Sequence, residues 1–250
     1  MVQHQHRIKY DRIVHGHMSE FLDQIVRNAV HGQGSCAECP AHADCRSQRV
    51  NPGLGNPEAD LAFVTIEPST SHTELIDWSA YENWQEYNEA FVPRAKNWPS
   101  GKAIKRILAP LDGYSFEDVW MCDSIKCSPN GSSDENRRTE FDCCSDYLGD
   151  EFTVVNPSLI VALGRLPTKR SLEVLDTDFS GFSVRKNAGR ILDIDPPLIV
   201  STSWSHNHLD WSLHEEWGEG WIKSHDHLDD LSTGKVIDAV RASVDHSVSN

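Results

Sequence analysis

DVWMCDSIKCSPN, residues 118–130, is the stretch on which the reading of this chain turns. An apolar run, Val119-Trp120-Met121, leads into a polar end that holds Asp123, Lys126 and Cys127. The run has the length and composition of a short buried strand, and Pro129, Asn130 and Gly131 force a turn behind it. In an open α/β sheet, ligands collect just beyond the carboxyl ends of the strands. One segment therefore offers a candidate substrate-reading side chain, Asp123, and a candidate metal ligand, Cys127.

Three further apolar runs share that character. LAFVTI (61–66) is ended by Glu67-Pro68-Ser69, SLIVALG (158–164) by a turn glycine, and LIVSTS (198–203) follows Pro196-Pro197. Between them lie segments of helical periodicity, at 19–30 (Phe21, Leu22, Ile25, Val26, Val30), 101–111, 138–151 and 166–175, with a last one near 234–244. Short buried strands alternating with helices predict an α/β fold, a three-layer α/β/α sandwich around a four-stranded, mainly parallel sheet. Residues 1–17 are polar and rich in histidine, as a flexible arm would be. Residues 18–246 read as a single domain with a cysteine-bearing loop near its start. The stretch 70–100, with Trp78, Tyr81, Trp84, Tyr87, Phe91 and Trp98, is too long for a bare connection and predicts function or helices of its own.

A hydrophobic share of 38% with 8 Trp predicts a packed core. No run of about 18 apolar residues occurs, so no membrane span is expected. The N-terminal MVQHQHRIKY lacks the apolar core of a secretion signal, and the expectation is a cytoplasmic protein. Asp+Glu 38 against Lys+Arg 23 gives a net charge of -15, spread along the chain. Nucleic-acid binders are ordinarily basic. A halophilic interior reconciles the two, because molar salt cuts the Debye length to about 3 Å and makes dispersed acidity tolerable. An acidic enzyme acting on a small substrate is the plainer alternative.

Seven cysteines in a chain without a secretion signal point to metal ligands or free thiols before disulfides. Cys36 and Cys39 form a C-x-x-C in a Gly/Pro-rich loop, and Cys127 and the Cys143-Cys144 pair lie at element ends. Together they supply up to four thiolates, the donor set of zinc or of an iron–sulfur cluster. Cys122, inside a strand, reads as a small buried apolar residue. Cys45 is a spare thiol or a substitute ligand.

Five stretches in order, CAEC (36–39), GLGNPEADLAFV (53–64), SIKCSP (124–129), EFDCCSDYL (140–148) and LIVALGR (159–165), resemble the iron–sulfur (family 4) uracil-DNA glycosylases. The resemblance covers most of 36–206. It implies the uracil-DNA glycosylase fold and a 4Fe-4S cluster, with Cys36, Cys39, Cys127 and Cys144 at the ligand positions and Cys143 the near alternative. Zinc remains the alternative metal. It also implies DNA containing uracil or another deaminated base as partner, in base-excision repair, and a monomer. Such enzymes flip the base into a pocket and hydrolyse its N-glycosidic bond. The departing anionic base and cationic sugar call for a carboxylate near the sugar and a donor at the base oxygen.

The resemblance assigns those roles residue by residue. Thr65-Ile66-Glu67-Pro68-Ser69 stands where the family shows Gly-Glu-Ala-Pro-Gly, with both glycines lost. Pairing the prolines sets Glu67 at the family's Ala and a shift by one sets it on the family's own Glu, and either register makes Glu67 the carboxylate. After the last strand the family shows Thr and then His-Pro-Ser; here His206 is the expected donor, with His208 second. Asp123 stands where the family carries the Asn that reads uracil. An ionised Asp only accepts, whereas Asn accepts and donates, so the choice of base is open. AFVPRA (90–95) matches the family's aromatic segment and makes Phe91 the stacking ring, with Trp98 competing. Lys126, Lys102, Lys105 and Arg106 are candidates for phosphate contacts. Two other functions fit the same residues: a catalytically altered member that binds nucleic acid or protein, and a zinc-stabilised hydrolase of a small substrate.

Overall fold

Where both faces of a strand are covered, its residues are apolar without alternation, and four segments of this chain obey that rule. In a computed structural model that describes residues 18–39, 50–66, 68, 80–109, 111, 113–127, 134–178, 180–187 and 190–201, they are β2 (Leu61–Thr65), β3 (Trp120–Asp123), β4 (Leu159–Leu163) and β6 (Leu198–Ser201). All four run parallel, and their side chains are buried almost throughout.

The sheet is wider than the sequence predicts. Its order is β1-β3-β2-β4-β6-β5, where β1 (Leu54–Gly55) and β5 (Ile191–Leu192) are antiparallel edges of two residues each. Segments so short carry no periodicity to read. Gly55 is needed at its edge: it has φ 111°, and a Cβ there would lie 2.0 Å from the Val119 carbonyl oxygen.

Helices cover the sheet in two groups. α1 (Met18–His31) turns Leu22, Ile25 and Val26 into the core. Beside it lies α2 (Trp84–Ala95), which buries Trp84, Tyr87, Phe91 and Ala95 at helical spacing and packs on β1. The Asn83 side chain caps α2 by accepting from the Glu86 N–H at 3.0 Å. α2 is the helix that the long aromatic stretch supplies; its polar, mixed composition hid the apolar stripe. α3 (Pro99–Leu108) begins with proline at its first position, where the missing N–H costs nothing. α4 (Asp134–Val155) extends several residues beyond the expected 138–151, and α5 (Arg165–Val174) packs between it and strands β2, β4 and β6. A single turn, α6 (Val184–Asn187), precedes β5.

Among the described residues no helix is long and apolar enough to cross a membrane. The expected arm 1–17 and the expected helix near 234–244 lie outside the described residues.

Candidate functional site

The carboxyl ends of β2 and β3 lie side by side, with Thr65 paired in register with Asp123. Behind them the chain is stitched together by its backbone. Ser124 and Ile125 donate N–H bonds to the carbonyls of Thr65 and Ile66 (both 2.9 Å), and the Ser124 hydroxyl donates to the same two oxygens. Asn51 N–H donates to the Lys126 carbonyl at 2.6 Å, and Val50 bridges to Cys127. Residues 124–127 therefore leave the sheet along a path fixed by hydrogen bonds.

Asp123 is buried, and both its oxygens have donors. The Thr65 hydroxyl donates to Oδ1, and Asn51 Nδ2 donates to Oδ2 at 2.6 Å. Asn51 is itself held, because its Oδ1 accepts from Gly53 N–H at 3.1 Å. Burial raises the Asp123 pKa above the ordinary aspartate value; the bonds from Thr65 and Asn51 and the charge of Lys126 pull it back. The buried Tyr87 phenol is raised by burial and by the Asp123 charge, so it stays protonated.

Tyr87 is also the centre of an aromatic cluster. Its ring stacks on Phe91 with centroids 4.5 Å apart, while Tyr81 and Trp98 meet Phe91 edge-on at 6.0 and 6.4 Å. The Arg94 guanidinium lies 5.2 Å from the Phe91 ring centre. Phe91 is buried in this cluster, and Trp98 is half-buried at its margin. The two expected stacking rings are thus neighbours in one aromatic cluster.

Lys126 requires a correction. Its side chain is enclosed, not presented to phosphates: Nζ donates to Glu151 Oε2 and, at 2.7 Å, to the Asp123 carbonyl. Burial of Glu151 raises its carboxyl to about 7, against the pull of the Lys126 charge. Burial alone would lower Lys126, but the Glu151 carboxylate beside it holds the ammonium in its charged form. Lys102 and Lys105 are exposed on α3, as phosphate contacts require, and the Arg106 side chain lies outside the described residues.

The thiols gather around Cys127, at the end of the Asp123–Cys127 segment. Cys36 sits at the end of a 3-10 turn (Gly34–Cys36), and its backbone carbonyl accepts from Cys39 N–H at 3.2 Å. Cys36 Sγ lies 3.6 Å from the Tyr147 hydroxyl, which accepts from Asn28 at 3.1 Å. Cys144 and Cys127 are buried in one apolar pocket with Val50, Ile125 and Phe141, and Cys36 packs against it. Burial and the proximity of Cys39 and Cys36 push the Cys143 thiol up to about 12. Cys144 is also pushed up to about 12, by burial and by the nearby Cys36 and Cys39, against the pull of the Lys126 backbone and charge. Thiols so repelled are neutral unless a cation joins them, which is the chemistry of a thiolate metal site.

The donors suit such a site, yet their arrangement is not a preformed one. Among the described residues no group of three or more His, Cys, Asp or Glu side chains has metal-holding geometry. Cys127 is disulfide-bonded in this structure, which engages the sulfur that the resemblance makes a ligand. Cys36, Cys143 and Cys144 are free thiols, and so is the strand residue Cys122, buried as expected. Glu67 and His206, the expected catalytic carboxylate and donor, and His208 lie outside the described residues. Sequence reasoning missed Asn51, Thr65 and Glu151 as partners of Asp123 and Lys126. Only pairing across 58, 72 and 25 positions reveals them.

A mainly parallel α/β sheet with a buried carboxylate at the carboxyl end of β3, and a cluster of cysteines packed with Val50, Ile125 and Phe141, defines an α/β protein of the open-sheet class, in which ligands bind past the strand ends. Residues 52–217 match the uracil DNA glycosylase superfamily, and the chain belongs to that superfamily. A type-4 uracil-DNA glycosylase of Archaeoglobus fulgidus is 28% identical over 176 residues, which cover 70% of this chain and 75% of that one. Proteins of the same description from Sulfurisphaera tokodaii (28% over 156 residues; 62% of this chain, 61% of that one) and Thermotoga maritima (30% over 149; 58% and 63%) are also similar.

Proposed function

We propose that this chain is a DNA glycosylase that hydrolyses the N-glycosidic bond of uracil, or of another deaminated base, flipped out of DNA. The observation that carries the reading is the placement of Asp123. A buried carboxylate, with one donor on each oxygen, stands at the end of β3, and the resemblance of SIKCSP and its neighbours to the family assigns that place to the base-reading side chain. The aromatic cluster of Phe91, Tyr87 and Trp98 beside it supplies an apolar wall for a base. In this reading Glu67, two positions past the end of β2 in the sequence, orients water or stabilises the cationic sugar, and His206 donates to the base oxygen. Glycosidic cleavage leaves an anionic base, and donors aimed at it lower the barrier.

The same reading assigns a 4Fe-4S cluster to Cys36, Cys39, Cys127 and Cys144, with Cys143 as alternative to Cys144 and zinc as alternative metal. When bound, the cluster supplies a structural tie between the N-terminal cysteine loop and the segment after β3. Hydrolysis needs no electron from it. Cys127 must be reduced to serve, because only a thiolate ligates. The acidic composition suits a cytoplasm of high salt.

Cleavage of single- and double-stranded oligonucleotides bearing uracil or hypoxanthine, in molar KCl, tests the reading. Abasic product that is lost with Glu67→Ala and reduced with His206→Ala supports it. No product from any substrate defeats it and favours a catalytically altered member that binds nucleic acid. Anaerobically purified protein should absorb in the visible region, and Cys36→Ser with Cys39→Ser should abolish that colour. A colourless protein carrying stoichiometric zinc would overturn the cluster assignment.

A further inference from the structure

Three side chains meet at the ends of β2 and β3, and their hydrogen bonds link them. By the resemblance Asp123 stands where the family carries an amide and, with the prolines paired, Thr65 where it carries a glycine; Asn51 comes from the loop before β1. The glycine position could offer no side-chain donor; Thr65 offers a hydroxyl, and it points to Asp123 Oδ1. Asn51 turns its amide nitrogen, the donor end, to Oδ2 at 2.6 Å and anchors its oxygen on Gly53 N–H at 3.1 Å. Both neighbours therefore donate. A carboxyl group that receives two donors has no proton of its own to give there, yet its remaining lone pairs still accept.

We propose that Thr65 and Asn51 are positioning residues that hold Asp123 as an acceptor-only group, so that the pocket selects a base by the N–H it donates and not by the carbonyl beside it. This rests on the glycosylase reading above and deepens it. The class selected is the lactam bases: uracil offers N3–H and hypoxanthine N1–H. An amide at the same place also donates to the adjacent carbonyl, and the acceptor-only carboxylate gives that contact up. Charged and titratable groups facing Asp123 are Lys126 and Cys122 on its own segment, Tyr87 from α2 and Glu151 from α4. Among the described residues Lys126 is the cation near Asp123, and it meets the Asp123 backbone carbonyl, with its ammonium shared by Glu151. The two neutral donors are thus the direct partners of the carboxylate oxygens.

The experiment uses the full chain and single-turnover excision from otherwise identical oligonucleotides carrying uracil or 4-thiouracil, whose sulfur is a poor acceptor while N3–H remains. The intrinsic difference between the two bases cancels between variants. The uracil-to-4-thiouracil rate ratio is expected to rise about tenfold from the natural chain to Asp123→Asn, the size of one hydrogen bond regained. Thr65→Val, which removes one donor at constant shape, should shift the acid limb of the natural chain's rate–pH profile upward by about one pH unit. Thr65→Ser should restore it. An unchanged ratio in Asp123→Asn, or an unmoved limb in a folded Thr65→Val, overturns this inference while the glycosylase reading stands. If the natural chain excises neither base, both fall together.

Discussion

The most demanding test of the fold around the site is removal of Lys126. Its side chain is 2% exposed and that of Glu151 0%, so neither charge has water to fall back on. Lys126→Met keeps the length of the aliphatic stem and deletes the ammonium. It leaves the Glu151 carboxylate buried without its partner, and it removes the 2.7 Å bond to the Asp123 carbonyl. Breaking one side of a buried pair costs about 3–5 kcal/mol, mostly from the stranded charge. The raised Glu151 carboxyl, at about 7, shows how poorly that site tolerates charge even with Lys126 present. Glu151→Leu alone should cost a similar amount. Lys126→Met combined with Glu151→Leu should cost far less than the sum, because two apolar side chains of similar volume replace a desolvated pair. Urea unfolding in molar KCl, followed by tryptophan fluorescence and circular dichroism, measures all four states. For a chain of this size about 4 kcal/mol corresponds to roughly 8–16 °C in Tm. A single-variant cost below about 1 kcal/mol, or an additive double variant, would refute the claim that the pair is dry and mutually dependent.

Three further outcomes follow from the same geometry. Gly53→Ala should destabilise by about 2–4 kcal/mol in urea, since its φ is 102° and the new Cβ would fall 2.1 Å from the Trp120 ring and 2.9 Å from a Glu151 oxygen; a neutral result would show that the β1 edge can move. Phe91→Leu should cost about 1–2 kcal/mol from lost packing on Tyr87 and Trp98, and excision should fall by a larger factor than folding predicts if the ring also meets the base; equal effects on both would make it a core residue only. The pH dependence of Asp123 has opposite signs for stability and activity. Its folded pKa is raised, so its favourable contribution to folding is complete below the unfolded value, near 3.9, and declines as pH rises through the folded value. Asp123→Asn should remove that decline, as urea titrations across acid pH would show. Excision, which needs the ionised acceptor, should instead fall as pH drops through the same folded value.

The sequence by itself determined the strand–helix framework, and the reason is local. Apolar runs such as Leu61–Thr65 and Leu159–Leu163 are covered on both faces, and that demand is written into every residue of each run. It also marked Asp123 as a strand-end residue, and singled out the thiols by their spacing and their loop. The family followed from motifs in order, each short but jointly specific. What tertiary structure decided are the partnerships. Lys126 looks like a surface cation in a polar turn, and only the approach of α4 makes it half of a buried pair. Asn51 and Thr65 have no individual signature; their meaning comes from meeting one carboxylate across two strands and a loop. The two-residue edges of the sheet likewise exist only because a longer strand is already there to pair with. Burial and periodicity are properties of a segment and are legible in it. A hydrogen bond between residues 58 or 72 positions apart belongs to the fold, and no local pattern encodes it.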